Sequence, residues 1–221
     1  LPISSTEALW IIDAYGFMIA GFLITMGSLG DRIGRRKLLL IGGIAFAAAS
    51  VLAAYSTSPE MLICARAVLG VAGATLMPST LALISNMFAV PAQRSLAIGI
   101  WATMFALGMA AGPLVGGLLL ERFWWGSAFL VALPIVGILI MAGPLLLPEY
   151  RDPAGGRLDL ISVALSLLAI LPGIFALKEV AKYGVDLEAV LAVIASFAFA
   201  AIFVRRQLRL SNPLLDIRLF S

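Results

Sequence analysis

Seven apolar stretches near twenty residues long, separated by short polar loops, constrain this 221-residue chain more than any other feature. About 20 residues rising 1.5 Å each cross a hydrocarbon core of about 30 Å. The stretches run 7–29, 38–55, 59–84, 95–120, 124–147, 158–177 and 187–204. They predict an all-α polytopic membrane helix bundle with about seven transmembrane helices. Only 12% of the residues are charged, about half of what a water-facing surface carries. Mean hydropathy is +1.08.

The loops fix the orientation. Arg32, Arg35, Arg36, Lys37, Arg94, Arg151, Arg157, Arg205, Arg206, Arg209 and Arg218 fall on one side, and Arg122, Lys178 and Lys182 on the other. Basic residues stay on the cytoplasmic side, so the first stretch starts outside and the C-terminus lies in the cytoplasm. The chain opens Leu1-Pro2 without a Met, and this orientation leads us to expect one further helix before it. Ser211-Asn212-Pro213 reads as a turn leading into a connector.

Several function classes drop out. There is no histidine and one cysteine, Cys64. That excludes a disulfide framework within the chain and argues against zinc, haem and His-dependent nucleophilic catalysis. No metal, no cofactor and no enzymatic activity are expected. The net charge of +3 resides in loops, where it signals topology rather than nucleic-acid binding.

Four groups of residues stand out against this background. The first loop reads Gly27-Ser-Leu-Gly-Asp31-Arg32-Ile-Gly34-Arg35-Arg36-Lys37. Gly27 lets helix ends approach closely, Gly34 can take the positive φ of a tight turn, and Asp31 can accept from a helix N-terminus or pair with an arginine. The third stretch carries Arg66 in Leu62-x-x-x-Arg66-x-x-Leu69-Gly70. A mid-membrane arginine costs about 2.5–3.5 kcal/mol on insertion scales, so Arg66 is expected to face the interior and find a partner, the alternative being snorkelling to the outer interface. The fourth stretch carries Gly99, Gly108, Gly112-Pro113 and Gly116-Gly117, a smooth face for close backbone contact with a proline that can kink the helix.

Asp13, in Trp10-Ile-Ile-Asp13-Ala-Tyr15, lies about two turns inside the first stretch. A carboxylate there can exchange a proton or meet a cation, and Trp10 and Tyr15 can stack on an aromatic cation or, for Trp10, anchor at the interface. Asp13 and Arg66 sit at similar depth and are expected to face one cavity and interact, directly or through water. Otherwise Asp13 is an interface residue or a purely structural partner of Arg66. Asp159, Lys178, Glu179, Lys182, Asp186 and Glu188 read as solvated charges at helix edges. Met18, Met77, Met104 and Phe105 are among the side chains that could line a cavity.

The loop resembles the signature between the second and third helices of the major facilitator superfamily, Gly-x-Leu-Ala-Asp-Arg-x-Gly-Arg-(Lys/Arg), departing from it only at Gly30. Arg66 and Leu69-Gly70 resemble the motif of that family's helix 4, with Leu69 where Gln is frequent. The glycine-proline pattern is similar to the helix-5 signature of the family's exporters. The Asp13 segment resembles helix 2 of EmrB/QacA-type fourteen-span drug:proton antiporters, and Phe123-Trp-Trp-Gly-Ser-Ala-Phe the start of helix 6.

This resemblance implies a fragment organised as an N-terminal bundle over 1–147 (family helices 2–6), a cytoplasmic linker over 148–157, an extra transmembrane helix pair over 158–204 and a cytoplasmic connector over 205–221. It implies a multi-pass protein of the plasma (cell inner) membrane that exports drugs or lipophilic cations in exchange for protons, driven by the proton gradient. Its partners would be the lipid bilayer, protons and a small cationic or lipophilic substrate. Asp13 and Arg66 would serve substrate and proton. Gly27, Asp31, Arg32, Gly34, Arg35 and Arg36 would form the conformational loop, and the fourth-stretch glycines with Pro113 the antiporter motif. The alternatives are export of a dedicated metabolite or antibiotic, and a non-transporting membrane scaffold.

Overall fold

The computed structural model describes residues 3–152 and 158–215. Among them the only regular elements are helices: α1 (Ser5–Ile33), α2 (Arg35–Ala54), α3 (Pro59–Met87), α4 (Pro91–Arg122), α5 (Ser127–Leu130), α6 (Leu133–Leu146), α7 (Leu160–Tyr183) and α8 (Leu187–Arg209). Among the described residues, seven helical segments are long and apolar enough to span a membrane, α5 and α6 together making one. Arg157 and Arg218, used above for orientation, lie outside the described residues.

The helix ends follow the local sequence. Ser4 and Glu7 form a reciprocal capping box at the start of α1. Ser58 accepts from the Met61 N–H at 3.2 Å ahead of Pro59 in the first turn of α3. Asp159 and Asp186 cap α7 and α8 in the same way.

Between α1 and α2 the expected loop contracts to one residue. Gly34 has φ +114°, and Asp31 and Arg32 belong to the last turn of α1. A left-handed conformation of this kind is open to glycine and strained for other residues.

Small residues build the core. Ala49 and Ala53 of α2 meet Leu62, Ala65 and Leu69 of α3, with Ile11, Tyr15, Phe46 and Phe129 packed around them. Lipid offers no hydrophobic reward for helix association, so small faces that bring backbones together do that work. At Gly70 a Cβ would lie 2.5 Å from the Tyr15 carbonyl oxygen and 2.6 Å from Met18 Cβ. At Gly42 it would overlap the buried Thr75 side chain. Helices α1 and α3 therefore meet backbone to backbone, while α2 receives the Thr75 side chain of α3 at Gly42. Helix α6 leans on α2, where Leu139 and Val136 face Gly43. The α7–α8 hairpin rests on α1, with Leu167 and Leu171 over Gly21. Helix α4 stands at the periphery, with no buried residue along its length.

Candidate functional site

The faces of α1 decide where its polar groups point. Ile11 and Tyr15 are four residues apart and share one face, turned to α3. Leu9, Trp10, Asp13 and Phe17 share another, turned to α7. Arg66 on α3 meets the first face. Its Nε donates to the Ile11 carbonyl oxygen at 2.8 Å, and its guanidinium carbon stands 4.7 Å from the Tyr15 ring centroid and 6.0 Å from that of Phe129. The arginine is half-buried and satisfied by a backbone carbonyl and two aromatic faces rather than by an acid.

Asp13 lies on the opposite side, and its carboxylate pairs with the ammonium of Lys178 on α7. The expected Asp13–Arg66 interaction is therefore replaced by two separate contacts. The reason is helical phase: equal depth does not put two side chains in one cavity when α1 turns them to different neighbours. Lys178, read from sequence as a solvated edge charge, lies inside α7, which runs on to Tyr183.

Around this pair lies an open groove of about 410 Å³, lined by Leu9, Trp10, Asp13, Phe17, Phe175, Lys178, Glu179, Lys182, Tyr183 and Glu188. The Lys178 ammonium also stands 5.1 Å from the Phe17 ring centroid. The groove thus offers the Asp13 carboxylate amid aromatic surface, with Glu179 and Glu188 as further acids and Lys178 and Lys182 as bases, a combination suited to an organic cation.

A second cluster sits at the other end of α1. Arg35 Nε donates to Asp31 Oδ1 at 2.8 Å, with Nη2 at 2.5 Å from the same oxygen. Gly30, the departure from the family signature, makes room for this arginine: a Cβ there would lie 3.0 Å from both Arg35 Cδ and Nη1. Arg36 Nη1 donates to the carbonyls of Pro144 at 3.2 Å and Leu147 at 2.9 Å. Glu149, which sequence reasoning passed over, accepts from the backbone N–H groups of Arg36 and Lys37 at 3.0 and 3.1 Å. It caps α2, whose Gly34 has no side chain to do so. An acid directly after an apolar span was the available signal. Backbone bonds from Arg35 to Tyr150 and from Asp152 to Asp31 close the cluster. Gly27 has a different role from the one expected, since its Cβ position is 3.9 Å from Pro78, ordinary contact rather than close approach.

The tail of the chain is tied to the same end. Helix α8 continues through Arg205 and Arg206 to Arg209, so the connector expected from 205 is helical that far. Arg206 holds Asp159 through two bonds, Nε to Oδ2 at 2.9 Å and Nη2 to Oδ1 at 3.2 Å. Hydrogen bonding from Arg206, with Ser162 and the Ile161 N–H assisting against partial desolvation, draws the Asp159 carboxyl down to about 2. The buried Gln207 donates to Ser162 Oγ at 2.8 Å and accepts from the Leu214 N–H at 2.6 Å. Arg32 Nη2 donates to the Pro213 carbonyl at 3.3 Å. Asp159 is therefore a structural ion-pair partner, not a free edge charge.

The glycines of α4 behave differently. A Cβ at Gly99, Gly108, Gly112, Gly116 or Gly117 would meet nothing within 4 Å. The helix passes through Pro113 without interruption. The smooth face read from sequence is present, but no described residue packs against it.

Comparison with known proteins now adds to this geometry. Over 218 residues the chain is 52% identical to the multidrug efflux pump LfrA of Mycolicibacterium smegmatis, covering 99% of this chain and 43% of that protein. It is 37% identical over 222 residues to the methyl viologen resistance protein SmvA of Salmonella typhimurium, covering 100% and 45%. It is 31% identical over 222 residues to the tetracenomycin C resistance and export protein of Streptomyces glaucescens, covering 100% and 41%. The chain spans less than half the length of these relatives. The family model of the Major Facilitator Superfamily matches residues 1–211. With that match over nearly its whole length, and seven membrane-length helices whose charged motifs cluster as described, the chain belongs to the major facilitator superfamily.

Proposed function

We propose that the complete protein is a multi-pass secondary transporter of the cell inner membrane that exports drugs or lipophilic cations in exchange for protons, with the C-terminal end of this chain in the cytoplasm. The observation that carries the reading is Asp13, a carboxylate within a membrane-length helix, set in an aromatic-lined groove of drug size. An ionisable group kept there at a cost marks a substrate or ion path. A cation and a proton compete for one carboxylate, which is the minimum chemistry of antiport. Arg66 stabilises the helix pair that presents Asp13, through Ile11 and Tyr15. The cluster of Asp31, Arg32, Gly34, Arg35, Arg36 and Glu149 ties α1, α2 and the segment after α6 into one body able to rock as a unit. The relatives named for multidrug efflux and methyl viologen resistance support drug export. The relative named for tetracenomycin C favours a second reading, export of a dedicated antibiotic by the same machinery.

The test uses the complete protein in proteoliposomes. An imposed pH gradient drives efflux of ethidium and methyl viologen, and collapsing the gradient stops it. Asp13→Asn abolishes methyl viologen movement while the protein still reaches the membrane in normal amount. Undiminished methyl viologen efflux in that variant would remove Asp13 from the mechanism, and efflux indifferent to the gradient would remove the proton.

A further inference from the structure

We propose that Lys178 is a tethered counter-ion, occupying Asp13 in place of substrate and setting how strongly the groove favours cations. The idea rests on the drug-export reading above and assigns a specificity-determining role to the α7–α8 hairpin.

The two ion pairs of α7 show why. Asp159 is held by a two-bond guanidinium contact, by Ser162 Oγ at 2.6 Å and by the Ile161 N–H at 3.2 Å. Such a fork fixes geometry, and its partner is built to stay. Asp13 receives one lysine ammonium, a point charge on a flexible four-carbon stem, from a side chain that is 48% exposed. No backbone N–H or hydroxyl bond to Asp13 reinforces it among the described residues. One pair is a staple and the other is a contact that can be exchanged.

The position of the ammonium adds to this. Lys178 lies on the Asp13 carboxylate and near the Phe17 ring together. Those are the two surfaces a bound organic cation would use, so Lys178 occupies the place of such a ligand. Trp10, Phe175 and Tyr183 add further aromatic surface to the groove, the Tyr183 ring lying 4.4 Å from the Lys182 ammonium. A planar cation can therefore keep these contacts while displacing Lys178. The released side chain remains within the same groove, where Glu188 offers another carboxylate. A neutral ligand has no claim on Asp13 and leaves the pair intact. The competition thus acts against cations alone, and a dication overcomes it more readily than a monocation.

The experiment measures equilibrium binding to the purified complete transporter, with ethidium as monocation, methyl viologen as dication and Nile red as neutral probe. Lys178→Met keeps the length of the side chain and removes its charge. The ratio of the ethidium Kd to the Nile red Kd falls by about five- to tenfold, within the usual range of coupling between sites. Lys178→Arg does not reproduce the fall. In the Asp13→Asn background, Lys178→Met changes the ratio no further, as expected when one partner of an interacting pair is already gone. A ratio that stays constant or rises in Lys178→Met overturns the proposal, as does a fall that persists without Asp13. Should Lys178→Met not accumulate, the unaltered protein decides: methyl viologen speeds acetylation of Lys178, read by mass spectrometry, and Nile red does not. Equal rates with the two ligands overturn it. Binding that obeys these rules in a protein showing no gradient-driven efflux would uphold the counter-ion and defeat the transport reading instead.

Discussion

Helices α3 and α4 carry similar glycine-rich faces and meet opposite fates. On α3, Gly70 touches the backbone of α1 and Gly73 lies against Ile19, so each missing side chain is answered by a neighbour. On α4 the five motif glycines face open space. Small residues permit close approach between helices in lipid, but they do not supply the partner. The α3 face is satisfied inside this chain. The α4 face is smooth along a helix with no buried residue, while the relatives are more than twice as long as the segment they share with this chain. A face with no neighbour in this chain differs in kind from a face already in use, and substitution separates the two.

The largest effect is expected at the occupied face. Gly70→Val drives a branched side chain into the Tyr15 carbonyl and Met18, and overpacking of this kind costs about 1–3 kcal/mol. The complete protein should show a clear drop in thermal midpoint in detergent. An unchanged midpoint would mean that α1 and α3 are less tightly apposed than described.

Gly112→Val is expected to move the midpoint less and the activity more. Nothing within this chain resists the new side chain. If the complete protein is the exporter proposed above and places a helix on this face, that helix would resist it, and a coupling of about 1.4 kcal/mol would lower ethidium efflux roughly tenfold. Normal efflux from Gly112→Val would show that the α4 face simply meets lipid.

The smallest effect belongs to the polar hairpin, where neither glycine face is involved. Asp159 is drawn down to about 2 by Arg206. A carboxyl whose folded value is depressed stabilises the fold above its ordinary value of about 4 and loses that contribution as pH falls toward the folded value. Asp159→Asn should therefore lower the thermal midpoint slightly near neutrality, and the gap from the unaltered protein should close as pH falls from about 4 to about 2. A gap of constant size across that interval would show that the ion pair contributes nothing.

The legible and illegible parts of this molecule divide along physical lines. The spans were readable because crossing lipid demands long apolar runs, and Gly34 because a one-residue turn between helices demands positive φ. Arg66 was readable as a buried charge in need of a partner. Its actual partner, the Ile11 carbonyl, was not, because every residue carries a carbonyl and composition cannot single one out. Lys178 was missed because a lysine five residues before a helix end looks like any snorkelling charge. Only the placement of α7 against α1 brought it to Asp13. Glu149 was missed for a similar reason, since it caps a helix that begins more than a hundred residues earlier in the chain.

The sequence by itself determined that this chain carries membrane-length apolar helices in series and where the tight turn between the first two falls. These follow from one-dimensional constraints, namely length, hydropathy and backbone freedom. Which acid meets which base was decided only by the tertiary structure. Ion pairing depends on the rotational phase of each helix and on its neighbour, and a turn of 100° per residue sends Asp13 toward α7 and Tyr15 toward Arg66 although they stand two positions apart.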